Sequence, residues 1–373
     1  KKIRIKNKKN MCGIATIWNR NNIPIKKDEI TKMVNLLNHR GPDAKNIIIK
    51  HNIAFGHTRL NIIDLTEKAN QPFTDGKDIL IYNGEIFNFK EIKNDLKQET
   101  TFNTDSDTEV LFKSLQKWGK AALNKIEGQF SFVFFNFKKN SLLIARDHVG
   151  ICPLYIMENQ DELIISSEIK PILEIRKSKL NFEGIIDYFN FRYNIQNGHT
   201  LFKNIKRFDP AHYWEIDLRK NKITKDRYWR LHFNANSNNN INTEEKIIPI
   251  LDEEIISHTV SDVPIGMFLS GGIDSGAILK GISKKFSKIK TFSMIFKKND
   301  EEINSIELLR KKISFEKKII PFNLFDTKEI EKIILSLEEP FGDFIIAANY
   351  ELCKKASQEV KVTLSGEGGD ESF

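Results

Sequence analysis

Cysteine is scarce in this chain. Cys12, Cys152 and Cys353 are the three thiols among 373 residues and stand at no paired spacing, which excludes a disulfide or zinc framework and points to a reducing, cytoplasmic setting. No apolar run approaches the ~20 residues of a membrane span, and the N-terminus lacks the apolar core of a secretory signal. No internal repeat is present. No Gly-Lys-Ser/Thr closes a glycine-rich turn, which removes the Walker-type phosphate loop. A basic stripe is missing too. Of the net charge of +8, Lys1, Lys2, Arg4, Lys6, Lys8 and Lys9 supply six, so the rest carries about +2 and offers nucleic acid no footprint.

What is present is an ordinary globular composition, 40% hydrophobic and 29% charged, long enough for about two domains with a core in each. From Cys12 to Asp217, short β-branched and aromatic runs dominate, at 14–17, 47–49, 79–82 and 130–137. The last is joined through Lys138-Lys139-Asn140 to 142–146 as a hairpin. Helix-like segments fall at 27–38, 90–96 and 107–118, the third with Val110, Leu111, Leu115 and Trp118 on one face. Strands and helices mixed without strict alternation predict an α+β layered domain. Residues 219–245, polar and asparagine-rich, read as a linker. Beyond it a helix at 247–259 leads to strands at 263–269, 291–296, 317–321 and 360–364, with helices at 276–287 and 301–312. That is a doubly wound α/β pattern, in which ligands bind at the carboxyl ends of the strands.

Two glycine-rich turns sit at such ends. Ser270-Gly271-Gly272-Ile273-Asp274-Ser275 follows an apolar strand and precedes a helix. Glycines let the backbone approach an anion, and a helix start offers unpaired N–H groups and a positive dipole end. Ser270 and Ser275 can add hydrogen bonds, and Asp274 could hold magnesium against the phosphates. A plain glycine-rich strand-to-helix turn is the bland alternative. The second turn is Ser365-Gly366-Glu367-Gly368-Gly369-Asp370-Glu371, which alone would read as a surface turn.

Further blocks run along the chain in order: Met11-Cys12-Gly13-Ile14, His39-Arg40-Gly41-Pro42-Asp43, Gly56-His57-Thr58-Arg59-Leu60 and Tyr82-Asn83-Gly84-Glu85-Ile86. They continue with Ser106-Asp107-Thr108-Glu109-Val110, Ala145-Arg146-Asp147, Pro153-Leu154-Tyr155, Ser167-Glu168-Ile169-Lys170, Asp262-Val263-Pro264-Ile265-Gly266 and Glu339-Pro340-Phe341. With these blocks the chain resembles the glutamine-hydrolysing asparagine synthetases from Met11 to its last residue. The resemblance implies a four-layer αββα N-terminal-nucleophile glutaminase domain at 12–218, after a basic extension at 1–11. A linker at 219–245 would follow, then an α/β doubly wound ATP-pyrophosphatase domain, adenine nucleotide alpha hydrolase-like and incomplete, at 246–373.

The resemblance also implies roles. Cys12 is the nucleophile, activated by its own α-amine as the mature N-terminal residue, because a thiol near its free pKa needs a base. Asn83 and the Gly84 N–H form the oxyanion hole. Arg59 clamps the glutamine carboxylate, Glu85 and Asp107 take its ammonium group, and Leu60, Ile62 and Ile63 line the pocket. In the second half Ser270, Gly271, Gly272, Asp274 and Ser275 hold pyrophosphate, and Asp274 and Asp370 share magnesium. Phe268 and Met294 border the adenosine, Ser365 and Gly366 lie beside the ribose and α-phosphate, and Glu367 is the base for incoming ammonia. Taken singly, a cysteine near an N-terminus is usually a small buried hydrophobe, Asn-Gly a hairpin turn, and the charges surface residues.

Two departures shape the expectation. Ten residues precede Met11, so as written Cys12 has an amide nitrogen; a mis-set start or a dispensable leader is expected. The chain also stops at Phe373, before the region that carries most of the acceptor pocket in relatives, so a fragment is expected. Cys152 stands where relatives usually place Lys and is read as structural. The expected activity is ATP- and glutamine-dependent amidation of aspartate through a β-aspartyl-adenylate, in a cytoplasmic enzyme with a homodimer as the candidate assembly. Two alternatives stay open: a paralogous enzyme that amidates a peptide or secondary-metabolite carboxylate, and a truncated, non-catalytic remnant.

Overall fold

Strand β1 (Gly13–Asn19) is apolar on both faces, and that decides how the first half is layered. Ile14 and Trp18 face one apolar cluster while Ala15 and Ile17 face another, all of them buried. A strand with no polar face must be covered twice. The computed structural model describes residues 11–194, 198–232, 243–296, 301–322, 327–343 and 345–370. The basic run 1–10, the asparagine run 234–240, Asp300 and Glu371 lie outside the described residues. The chain divides into two units: Lys1–Leu231 with Ile334–Asp343, and His232–Ile333 with Phe344–Phe373.

In the first unit β1 is followed by α1 (Lys27–Leu36), β2 (Ala44–Lys50), β3 (Ile53–Arg59), β4 (Phe73–Thr74), β5 (Ile79–Ile86), α2 (Phe89–Leu96) and α3 (Asp107–Trp118). Then come β6 (Gly128–Asn136), β7 (Ser141–Arg146), β8 (Tyr155–Glu158), β9 (Glu162–Ser166), α4 (Ile169–Ile175), α5 (Phe182–Phe191), β10 (Ile205–Arg207), β11 (His212–Asp217) and β12 (Lys222–Arg227). The strands form two antiparallel sheets, in the orders β10-β8-β9-β1-β3-β2 and β12-β11-β7-β6-β5-β4. Ile14, Trp18 and Phe55 of one sheet meet Ile81, Val133 and Ile144 of the other in the central core. Ile30, Met33 and Val34 of α1, at helical spacing, cover the outer face of the first sheet beside Ala15, Ile17 and Ile164. Phe112 of α3 packs edge-on against Phe73 and Phe134 of the second sheet. The result is the αββα sandwich expected from the resemblance.

The linker reading of 219–245 fails over 222–227. Those residues pair with β11 as β12, and Ile223 opposite Ile216 packs on the central core. A second departure concerns 334–343, which lies in the sequence of the synthetase half but packs in the first unit.

The second unit contains α6 (Thr243–Ser257), β13 (Ile265–Phe268), α7 (Ile273–Ser283), β14 (Lys290–Ile295), α8 (Glu301–Arg310), β15 (Glu316–Pro321), α9 (Thr327–Leu337, whose last turn belongs to the first unit), α10 (Ile345–Ala356) and β16 (Val362–Leu364). Its strands are parallel in the order β15-β14-β13-β16. The order reverses between β13 and β16, and a doubly wound sheet opens its ligand crevice at that switch point. Helix α7 starts at Ile273 rather than 276, which draws Asp274 and Ser275 into its first turn. Among the described residues no helix is long and apolar enough to cross a membrane.

Candidate active site

Cys12 sits at the entrance to β1. Its sulfur accepts the Leu60 N–H at 3.4 Å and lies 3.8 Å from the Leu60 carbonyl, while Arg40 Nε donates to the Cys12 carbonyl at 2.9 Å. The approach of neighbouring chains here leaves no room for larger residues. A Cβ on Gly13 would lie 2.7 Å from Thr58 Oγ1, and one on Gly41 would lie 2.3 Å from the Thr58 carbonyl. Burial pushes the Cys12 thiol up to about 11; Arg59 and Arg40 pull it down and Asp107 pushes it up. A thiol in that range stays protonated at neutral pH and needs a base.

The wall beside it comes from β5 and α3. Ser106 caps α3, its side chain accepting the Thr108 N–H at 3.0 Å, and this fixes Asp107 at the first helical position. Asp107 Oδ2 accepts Tyr82 OH at 2.9 Å and the Ile86 N–H at 3.1 Å, so it grips β5 on both sides of Asn83-Gly84-Glu85. Asn83 is 1% exposed, yet neither its amide nitrogen nor its oxygen has a hydrogen-bond partner among the described residues. Gly84 has φ +149°, and a Cβ there would lie 2.0 Å from the Gln129 carbonyl oxygen, so only glycine fits. Glu85 Oε1 is buried without a partner as well. Burial first, then the charge of Asp107, pushes Glu85 up to about 8, and burial raises Asp107. Buried polar atoms left unpaired cost free energy, and here three of them belong to Asn83 and Glu85 on β5.

Arg59 departs from its expected geometry. Its guanidinium donates to Thr66 O at 2.7 Å, Asn70 Oδ1 at 2.9 Å, Ile63 O at 3.3 Å and Asp64 O. Both terminal nitrogens are thus spent on the loop after β3, and the pocket receives Arg59 as a charge rather than as an open fork. Leu60 is buried on that loop, Ile62 and Ile63 half-buried. Tyr82, Arg40 and Glu168 carry no role legible in the sequence, although each belongs to one of the blocks above. Their signal was only position, since their partners lie 25 to 128 residues away. Cys152 is fully buried, in keeping with a structural thiol.

In the second unit the two turns come together. Asp274 and Ser275 meet the later motif directly: a Cβ on Gly366 would lie 3.0 Å from the Ser275 N, and one on Gly369 2.6 Å from Asp274 Cγ. Ser270 Oγ and Ser275 Oγ are 3.0 Å apart, the Gly272 N–H donates to Ser270 Oγ at 3.2 Å, and Gly271 takes φ +85°. Ser270, Ser365, Glu367 and Asp370 are exposed around this contact. Phe268 and Met294 lie on adjacent strands, but the Met294 side chain is buried with Phe292, Ile320, Ala348 and Leu352. Only its main chain is left to face a nucleotide. Asp274 and Asp370 supply hard carboxylate oxygens, the donor set magnesium takes.

Fold and sites together define a class: a glutamine amidotransferase-type αββα sandwich in one chain with a doubly wound α/β unit. Residues 11–229 match the glutamine amidotransferase domain and residues 246–373 the asparagine synthase domain. A putative asparagine synthetase [glutamine-hydrolyzing] 2 of Methanocaldococcus jannaschii is 33% identical, over 97% of this chain and 75% of its own. Asparagine synthetase [glutamine-hydrolyzing] 1 of Bacillus subtilis is 32% identical over 97% of this chain, which spans 58% of that relative's length. The amidase chyE of Penicillium rubens is 28% identical over 93% of this chain and 54% of its own. The chain belongs to the glutamine-hydrolysing asparagine synthetase family, a family of ligases.

Proposed function

We propose that the chain hydrolyses glutamine at Cys12 and passes the ammonia to an ATP-activated L-aspartate, forming L-asparagine through a β-aspartyl-adenylate. The observation that carries the first half is the Asn83 amide, buried and unpartnered beside a glycine that tolerates no side chain. Once the residues through Met11 are removed, the α-amine of Cys12 takes the thiol proton, and the thiolate attacks the glutamine side-chain amide. Asn83 Nδ2 and the Gly84 N–H hold the oxyanion, which forms only as the reaction proceeds. Collapse expels ammonia and leaves a thioester for water to cleave. Glu85 and Asp107 take the ammonium of glutamine, and Arg59 supplies the charge for its carboxylate while holding the loop with Leu60, Ile62 and Ile63.

In the second unit a carboxylate oxygen of aspartate attacks the α-phosphate of ATP and pyrophosphate leaves. Ser270, Gly271, Gly272 and Ser275 cradle the departing group at the start of α7. Phe268 and the Met294 main chain border the adenosine, and Ser365 and Gly366 lie beside the α-phosphate. Asp274 and Asp370 would hold magnesium, which neutralises pyrophosphate. Glu367 removes a proton as ammonia attacks the acyl-adenylate. The setting is a cytoplasmic one, where thiols stay reduced.

Cys12→Ala in the full-length protein tests the assignment. Glutamine hydrolysis and glutamine-dependent amide formation should vanish, while amide formation from ammonium salts should persist. Amide formation still supported by glutamine removes Cys12 as the nucleophile. The mass of the protein from its native host should correspond to a chain that begins at Cys12. Similarity to the amidase chyE favours a second reading, in which another carboxylic acid is the acceptor; amide formation with that acid and not with aspartate would select it.

A further inference from the structure

Residues 334–343 form a strap that the glutaminase unit takes from the other half of the sequence. Three of its residues seat it. Glu338, at φ +67°, accepts the Ile169 N–H at 2.7 Å and the Lys170 N–H at 2.9 Å, capping α4. Glu339 accepts Asn194 Nδ2 at 3.0 Å, the Leu201 N–H at 3.2 Å and Arg207 Nη2 at 3.0 Å. The Gly342 N–H donates to Arg192 O at 2.9 Å, and a Cβ on Gly342 would lie 2.6 Å from Arg192 Cβ. A non-glycine residue with positive φ persists only where its surroundings over-determine it, and Glu338 is such a residue.

From Glu338 an unbroken series of direct contacts reaches the nucleophile. Lys170 Nζ donates to Leu335 O at 2.8 Å and stands between two carboxylates, 3.5 Å from Glu338 and 3.7 Å from Glu168. Glu168, 3% exposed, accepts His39 Nε2 at 2.8 Å and Arg40 Nη1 at 3.2 Å. Arg40 Nε then holds the Cys12 carbonyl. The residues just before α4 are also stitched to β1: the Ser167 N–H donates to Ile14 O at 3.0 Å and the Ile14 N–H to Ser167 Oγ at 3.0 Å. Burial and the charge of Glu168 raise Glu338, whereas His39 and Arg40 hold Glu168 down against its burial. Lys170 is therefore the cation that lets two buried carboxylates lie close together.

We propose that Glu338 is a positioning residue for glutamine hydrolysis, setting the main chain of Cys12 through Lys170, Glu168 and Arg40, so that the seating of the strap governs the turnover of the thiol. The inference rests on Cys12 being the nucleophile. It assigns Glu338, Lys170 and Glu168 no contact with glutamine, so binding and turnover should respond differently. Displacing a reacting group by about 1 Å costs up to roughly a hundredfold in rate.

The test is steady-state glutaminase kinetics of the full-length protein with Glu338→Gln and, separately, Lys170→Met. The second leaves both backbone bonds of Glu338 intact and removes the ammonium that joins Leu335 O and Glu338 to Glu168, so it retains the cap of α4 if the first variant loses its fold. Each should lower kcat by about tenfold or more with KM for glutamine within twofold. Wild-type kcat in Lys170→Met, or a rise in KM with kcat unchanged, overturns the proposal. The alkylation rate of Cys12 by iodoacetamide provides a reading that needs no turnover. If the wild type hydrolyses no glutamine, the proposed function fails. The positioning role then stands or falls on whether the two variants change that alkylation rate at least threefold.

Discussion

Replacing Glu85 by glutamine isolates the buried carboxylate that should recognise the ammonium of glutamine. Its ordinary value is 4.5; burial and Asp107 push it up to about 8. At 1.36 kcal/mol per unit, the ionised form costs about 5 kcal/mol in the empty pocket. The empty site therefore holds a proton at neutral pH, and an incoming ammonium must displace it. If only the ionised form binds, the ionised fraction is roughly one in a hundred at pH 6 and one in ten at pH 7 for a group at about 8. KM for glutamine should therefore fall about tenfold per pH unit from 6 toward 7.5 and level off above 8. Glu85→Gln should raise KM at pH 8 and abolish the slope. Initial-rate measurements across this range decide the matter, with calorimetry in two buffers counting the released proton. A flat KM in the wild type, or a slope that survives in the variant, refutes the argument. The same shift has a signed effect on stability. A carboxyl that titrates near 8 folded and 4.5 unfolded takes up a proton on folding. Its contribution is fully present below 4.5 and is lost as pH rises through 8. The glutamine variant should lose less stability than the wild type between pH 5 and 9.

Other substitutions probe the neighbouring geometry. Gly84→Ala places a methyl group 2.0 Å from the Gln129 carbonyl oxygen at φ +149°; a loss of about 3 kcal/mol in denaturant unfolding is expected, and a loss below 1 kcal/mol would contradict the packing. Asp274→Ala should reduce ATP-dependent amide formation by at least about tenfold, as the loss of a charge stabiliser does, and leave glutamine hydrolysis at the wild-type rate. Loss of both activities would indicate a folding defect rather than a missing ligand.

Local signals carried much of this architecture. Ser106 before Asp107 and the apolar face of 107–118 locate α3, and with it Asp107. Strand β3, which carries Arg59, is masked by the buried polar residues His57, Thr58 and Arg59 and by Gly56, a residue that exists to let Val34 approach, since a Cβ there would meet it at 2.3 Å. His57 reaches across the sheets to the Tyr82 carbonyl, and burial pulls it down to about 3, so it stays neutral. Nothing in its local sequence announces that role. Edge strand β12 is mostly exposed and polar and therefore resembles a linker. The start of α7 was hidden because Ile273, its first residue, is 91% exposed where an apolar residue suggests a core. The roles of Glu338 and Glu339 depend on partners more than 130 residues away, a separation that no local pattern encodes.

The strap also fixes an order of events during synthesis. Domains generally fold as units, N-terminal first, as the chain emerges. Here the sandwich is not complete when Leu231 leaves the ribosome, because the cap of α4 and the partner of Arg207 are still about a hundred residues from being made. Strands β13 to β15 are translated in the interval, whereas β16, which pairs with β13, comes later still. The last segment of the sandwich is thus translated between β15 and β16 of the second unit. A nascent chain arrested before residue 334 would therefore present Cys12 with α4 still uncapped.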